Sequence, residues 1–172
     1  MFICAGESET FDFAKPMGIG MIDMSINLTK LCISNLPSFI FFVGTAGSYG
    51  KHKIFDIVQS KSACNIENSF FNAKAYTPID NMVSTATNVS RETLVNSSNY
   101  ITTDSNISKH YLAQNIMLEN MEFFAVLKVA KAFNIPVAGA FIVTNYCNAN
   151  AHRDFKDNHK EAMARLTAYI KK

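Results

Sequence analysis

The sequence predicts a three-layer α/β fold, a mixed central β-sheet flanked by helices, on three observations. Its last third alternates a helix-period segment, a continuous apolar strand segment and a second helix-period segment. Its middle carries short β-type segments separated by Asn- and Ser-rich turns. Ahead of them stands one run, Phe39 to Val43, apolar enough for a strand buried on both faces. Strands that alternate with long helices late and pair with each other in the middle point to a mixed sheet.

Taken in order, Met1 to Ala5 is a short apolar run that stops at Gly6 and the polar stretch Glu7-Ser8-Glu9-Thr10, a strand passing into a loop. Met17 to Ile33 contains Gly18 and Gly20 and then turns helical in period. Ile22, Ile26 and Ile33, with Met21 and Leu28 beside them, are its positions expected to cover the sheet. Phe39 to Val43 lies between Pro37 and Gly44, and Gly44-Thr45-Ala46-Gly47 reads as the loop after that strand. Ile54 to Val58, Ser69 to Tyr76 and Thr93 to Ile101 supply further strands. Met121 to Phe133, apolar at Val126, Val129, Ala130 and Phe133, is a helix that Asn134-Ile135-Pro136 ends. Val137 to Val143 is a buried strand and Thr144 to Ala149 a loop. A terminal helix runs from about His152 to Ile170 with Phe155, Met163, Leu166 and Ile170 inward.

The 172 residues are 48% apolar, which suits one domain with one core. Phe39 to Val43, the longest apolar run, falls far short of the roughly 20 residues a membrane span needs. Met1 leads into no basic-then-apolar signal, so a cytoplasmic protein with no membrane partner is expected. A net charge of +2, spread along the chain, gives no reason to expect a nucleic-acid polymer as partner. Lys51-His52-Lys53 and Lys171-Lys172 read as solvated loop and terminus. Cys4, Cys32, Cys64 and Cys147 form no Cys-x-x-Cys pair and read as reduced, mostly buried thiols. The triplet Asn88-Val89-Ser90 carries no meaning in a cytosolic chain. His52, His110, His152 and His159 show no ligand cluster, so neither a metal nor an organic cofactor is expected.

Ligands of open α/β sheets bind beyond the carboxyl ends of strands, where loops and helix N-termini present free backbone N–H groups. Gly6 to Glu9, Gly44 to Gly47, Asn96 to Tyr100, Met121-Glu122 and Thr144-Asn145 fall at such ends. Each has a plain structural reading beside the functional one. Gly44 to Gly47 can be a tight turn, Glu122 a helix N-terminal carboxylate, Asn145 a cap and Tyr100 a half-buried strand residue.

Their order and spacing tip the balance. Phe42-Val43-Gly44-Thr45-Ala46-Gly47, Ser97-Ser98-Asn99-Tyr100, Asn120-Met121-Glu122-Phe123-Phe124-Ala125, Ile135-Pro136 and Ile142-Val143-Thr144-Asn145 together resemble the nucleoside phosphorylase and nucleosidase family. That family includes purine nucleoside phosphorylases, uridine phosphorylases and methylthioadenosine/adenosylhomocysteine nucleosidases. The likeness runs from Gly6 to the terminal helix and implies a single nucleoside phosphorylase-like domain over residues 1–172, shorter than typical members. It implies that Glu122 grips the 2′- and 3′-hydroxyls of ribose, a task suited to a carboxylate's two acceptor oxygens. It implies that Met121 packs on the sugar, that Tyr100 stacks on the base and that Asn145 faces the purine. Asn145 would then stabilise the negative charge that the departing base gathers. Thr45, with Gly44 and Gly6, would hold an oxyanion on the opposite side of the sugar.

An amide at Asn145, where a protonated acid serves adenine, tilts the expected substrate to 6-oxopurine nucleosides. The leading expectation is therefore a purine nucleoside phosphorylase of purine salvage. It would cleave inosine or guanosine with inorganic phosphate, giving free base and ribose 1-phosphate, and the family implies a homo-oligomer. Two departures stand against it. Arg91, Arg153 and Arg165 are the only arginines and none lies in either loop; Phe42 stands where one bacterial type has Arg. Phosphate would then rely on backbone donors, on Lys51 or Lys53, or on a neighbouring subunit. Glu7 and Glu9, moreover, lie near the place where the nucleosidases keep the glutamate that activates water. The alternatives are a methylthioadenosine/adenosylhomocysteine-type nucleosidase using water and a non-catalytic nucleoside-binding member.

Overall fold

A computed structural model describes residues 1–73, 75–88 and 92–172. Arg91 and the Val89-Ser90 part of the Asn88 triplet lie outside the described residues. In chain order the elements are β1 (Phe2–Cys4), β2 (Lys15–Pro16), α1 (Gly20–Ser34), β3 (Ile40–Ser48), β4 (Ile57–Ser60), β5 (Ser62–Cys64), β6 (Met82–Ser84) and β7 (Leu94–Ser97). There follow α2 (Ser105–Ala113), β8 (Ile116–Asn120), α3 (Phe123–Ala132), β9 (Val137–Tyr146) and α4 (Ala151–Ile170). The nine described strands form one mixed sheet with the expected helices on its faces.

Strand β3 organises the sheet. One of its edges pairs in parallel with β9 from Ile40 to Ser48; the other is shared, β1 pairing in parallel at Phe41 and Phe42 and β8 antiparallel at Gly47 and Ser48. Strands β5, β7 and β8 are parallel to one another, so two parallel groups meet through a two-pair antiparallel junction. The carboxyl ends of β3 and β8 therefore converge, and the edge of β3 between its two partners stays open at Thr45.

Alternation along the strands sorts side chains into layers. Phe42, Phe141 and Val143 face α1 and α3, packing with Met24, Leu28, Phe123 and Leu127, whereas Val43, Ala140 and Ile142 face Ala162 and Leu166 of α4. All four cysteines are free and buried.

Several expectations are corrected. The inward face of α1 is Met24, Leu28, Leu31 and Cys32, while Ile22, Ile26 and Ile33 are exposed. The helix is apolar on two faces, and periodicity alone does not say which one packs on α3. Gly44 to Gly47 is no loop: β3 runs through it to Ser48, and β9 runs through Thr144-Asn145 to Tyr146, because the two ladders continue past a register shift at Ala46/Gly47. The strand expected from Ser69 to Tyr76 includes Lys74, which lies outside the described residues; its first part forms instead a short 3-10 turn, Asn68–Asn72, whose Phe71 packs edge-on against Tyr111 with ring centroids 4.7 Å apart. Aromatic β-propensity yields there to packing. The Ile54 strand is displaced to Ile57–Ser60, and the Thr93 to Ile101 segment pairs only over Leu94–Ser97.

Candidate active site

The converging strand ends open into a cavity of about 290 Å³. Its walls come from the turn after β1 (Gly6, Ser8, Glu9), the ends of β3, β8 and β9, the loop after β7 (Tyr100, Ile101), Met121-Glu122 and the first turn of α4. Of the residues singled out in the sequence, Glu122, Asn145, Tyr100, Met121, Thr45 and Gly6 line this one cavity. Gly44 does not. It lies inside β3, where a Cβ would come within 3.0 Å of Glu9 Oε2 and of the Phe42 ring, so its lack of a side chain admits Glu9.

Asn120 builds the centre of the site. Its Oδ1 accepts from the backbone N–H groups of Glu122 and Phe123, both at 2.8 Å, and so caps α3. Its amide nitrogen donates to the carbonyl of Thr45 at 3.3 Å and to Glu122 Oε2 at 3.0 Å. The Glu122 carboxylate is thereby released from its own helix end. Its Oε1 accepts instead from the N–H of Gly20, 2.8 Å away at the start of α1. Burial pushes the Glu122 carboxyl up from 4.5 to about 7, against the pull of the Gly20 and Asn120 bonds and with Glu9 adding to the rise.

The second carboxylate arrives from the β1 turn, where Glu9 N–H donates to the Gly6 carbonyl at 2.9 Å and Gly6 takes a φ of 110°. Glu9 Oε2 accepts from the Thr45 N–H at 3.0 Å, and Oε1 accepts from the Thr45 hydroxyl. Thr45 N–H is free for this because the β3 edge is unpaired there. The donors expected to bind phosphate are thus already taken by a side chain of this protein.

At the far end, Asn145 Oδ1 accepts from Thr144 at 2.9 Å and its amide nitrogen donates to the Tyr146 carbonyl at 3.2 Å. Gly47 lies beside it; a Cβ there would meet Asn145 Nδ2 at 3.1 Å and Cys147 Sγ at 2.8 Å. Tyr100 is 83% exposed at the mouth, and His152 of α4 lines the rim. Arg153 pairs with Asp154 at 3.3 Å and Arg165 with Glu161 at 2.8 Å, both outside the cavity. In the sequence Glu119 went unread, and Asn120 stood in the quoted motif without a role. Asn two residues ahead of a helix-starting Glu is the capping signal that marks Asn120; nothing local marks Glu119.

Residues 3–172 match the family described as the phosphorylase superfamily. No curated protein matches the chain. Among solved structures, a mutant of the Helicobacter pylori methylthioadenosine/adenosylhomocysteine nucleosidase with 5′-methylthioadenosine in its active site has a TM-score of 0.80 at 14% identity. The match covers 99% of this chain and 95% of that one. Futalosine hydrolase of Helicobacter pylori gives 0.81 at 14% identity, over 99% and 94% of the two chains. The Streptococcus pneumoniae MTA/SAH nucleosidase with 8-aminoadenine gives 0.75 at 13% identity, over 98% and 95%. The expectation of a phosphate-dependent phosphorylase acting on inosine or guanosine is corrected on these grounds. The neighbours are nucleosidases and a hydrolase, and Glu9 fills the seat that an oxyanion would need.

Proposed function

The chain belongs to the phosphorylase superfamily, and from that premise we propose that it is a nucleosidase, hydrolysing the N-glycosidic bond of a purine nucleoside with water as the nucleophile. The observation that carries this reading is the Glu9 carboxylate seated on the N–H and hydroxyl of Thr45. A carboxylate repels phosphate but accepts a proton from water, so the same position that excludes phosphorolysis supplies a general base.

In the proposed reaction Glu122 accepts from the two vicinal ribose hydroxyls and Met121 packs beside the sugar. A water held between Glu9 and the sugar attacks C1′ and gives its proton to Glu9, while the electrons of the C1′–N bond pass to the purine; the purine takes a proton from solvent water as it leaves, and Glu9 returns its proton to solvent. The ribose is cationic in the transition state, and two carboxylates on its sides stabilise it more than they stabilise the neutral substrate. Asn145 contributes an amide N–H toward the base, with Tyr100 as the aromatic group at the mouth. Ile19 and Phe155 also line the cavity and suit an apolar 5′-substituent on the nucleoside. No organic cofactor is needed.

The test is base release from methylthioadenosine, adenosylhomocysteine, futalosine, adenosine, inosine and guanosine in phosphate-free buffer, repeated with added phosphate. The expected result is release of base and free sugar at a rate that phosphate does not raise. Turnover that requires phosphate and yields a sugar 1-phosphate overturns the proposal.

A further inference from the structure

Below the base end of the cavity lies a buried carboxylate that the reaction above does not use. Glu119 is 6% exposed, yet it touches the cavity at the carboxyl end of β8. Four donors converge on it. Oε1 accepts from the Thr102 N–H at 2.8 Å and from the Cys147 thiol at 3.9 Å; Oε2 accepts from the Tyr49 hydroxyl at 2.7 Å and the Thr102 hydroxyl at 2.5 Å. Burial first, and the Glu119 charge second, push the Tyr49 and Cys147 groups well above their ordinary values, so both remain in the donor form at neutral pH.

The register says what this cluster is for. Gly47 stands opposite Glu119 across the β3–β8 junction and opposite Asn145 across the β3–β9 ladder. Directly paired residues project to one face of a sheet, so Glu119 and Asn145 flank a position that carries no side chain. That space is taken by Cys147 Sγ and the Asn145 amide, which a Cβ at Gly47 would meet at 2.8 and 3.1 Å. Tyr100-Ile101, the two residues just before Thr102, form part of the cavity wall.

We infer that Glu119 is the positioning residue of the base end, its carboxylate tying the Tyr100-Ile101 wall through Thr102 to Cys147, whose sulfur packs over Gly47 beside the Asn145 amide. The planar base then enters a slot whose width is set before binding, and no ordering of the wall is charged against its affinity. The inference rests on the nucleosidase reading for the identity of the ligand. It concerns affinity for the base rather than bond cleavage.

Calorimetric titration of the free bases adenine and hypoxanthine, together with steady-state kinetics, tests it on the wild-type chain, Glu119→Gln, Thr102→Val and Thr102→Ser. Gln offers one acceptor oxygen in place of two, so Glu119→Gln is expected to weaken base binding and raise KM by about ten- to a hundredfold, with kcat within about threefold of wild type. Thr102→Val loses one donor and is expected to fall between, and Thr102→Ser to restore binding. Thr102→Val carries the test if Glu119→Gln does not fold. Base affinity indifferent to both variants, kcat falling as far as KM rises, or a wild-type chain that binds no free purine overturns the inference. Glu119-dependent base binding in a chain that hydrolyses no nucleoside sinks the nucleosidase reading and leaves the inference standing; hydrolysis with Glu119-independent base binding does the reverse.

Discussion

Replacing Glu122 by Gln is expected to make the protein more stable and less active at once, with a stability gain that grows as pH rises between 4.5 and about 7 and is full above that window. Moving a carboxyl from 4.5 to about 7 means that its ionised form costs the fold about 3 kcal/mol. The sign follows from proton binding. Between those two values the folded chain holds the Glu122 proton while the unfolded chain has released it, so stability falls as pH rises across that window and is lowest above it. Gln escapes this penalty. It forfeits the bond from Asn120, which cannot turn its amide because its oxygen is committed to the N–H groups of Glu122 and Phe123, a loss of about 1 kcal/mol. A net gain of about 2 kcal/mol corresponds to a rise in Tm of about 4–8 °C for a chain of this size. Melting curves of both proteins at about pH 5 and about pH 8.5 supply the assay, and the gain is expected only at the higher pH. In parallel, kcat/KM of the variant is expected to fall by about a hundredfold or more. The wild-type kcat/KM should rise with pH until about 7 and then level, since a protonated Glu122 has lost an acceptor for the sugar. A Tm difference equal at both pH values refutes the reasoning.

Glu9→Ala is expected to lower hydrolysis by about a hundredfold or more and to free the Thr45 N–H and hydroxyl, so that added phosphate raises its Tm but not that of the wild type. A variant that melts at one temperature with and without phosphate counts against the idea that Glu9 fills an anion seat. Gly47→Ala places a methyl against Cys147 Sγ and is expected to cost about 1–3 kcal/mol and to raise KM more than it lowers kcat. Adding Cys147→Ala should recover part of both losses, and kinetics of the double variant check this. Asn120→Asp keeps the cap of α3 but sets a second carboxylate on Glu122, so the rising limb of the pH–rate profile is expected to move to higher pH; an unmoved limb excludes the contact as a determinant of Glu122 protonation.

Six residues that line this cavity were singled out in the sequence because they fall at element ends and because their order and spacing resemble a known family, not because any one of them is distinctive alone. Met121-Glu122 opens a helix, Thr144-Asn145 ends an apolar run, and Thr45 lies between two glycines. The strand boundaries around them were not legible, since whether Gly44 to Gly47 pairs depends on β9, about a hundred residues away. The same holds for α1. Ile22, Ile26 and Ile33 make as good a stripe as Met24, Leu28 and Leu31, and what selects between them is α3 and the anchoring of Gly20 on Glu122, both distant in the chain. Glu119 is the clearest case. Nothing in Met117-Leu118-Glu119-Asn120 marks its glutamate, and only the meeting of Tyr49, Thr102 and Cys147 around it in the fold gives it partners.

Whether such a fold splits a nucleoside with phosphate or with water is decided by the sign of the charge on one side of the sugar. A phosphorylase must collect an anion there, and the open edge of β3 at Thr45 offers an N–H and a hydroxyl pointed outward for that purpose. In this chain the turn after β1 folds back so that Glu9 reaches the same two donors, and Gly44 leaves it room. Among the described residues the arginines stand on α4, paired with their own helix neighbours. With three carboxylates in its lining, Glu9, Glu119 and Glu122, and no guanidinium among the described residues there, the cavity has a field that disfavours phosphate and favours a positively charged ribose, so the proposed preference for water does not depend on any one bond length. It depends on Glu9 occupying the anion seat, which is why removing that single side chain should open the site to phosphate without making it a phosphorylase: the donors return, but no cation comes with them.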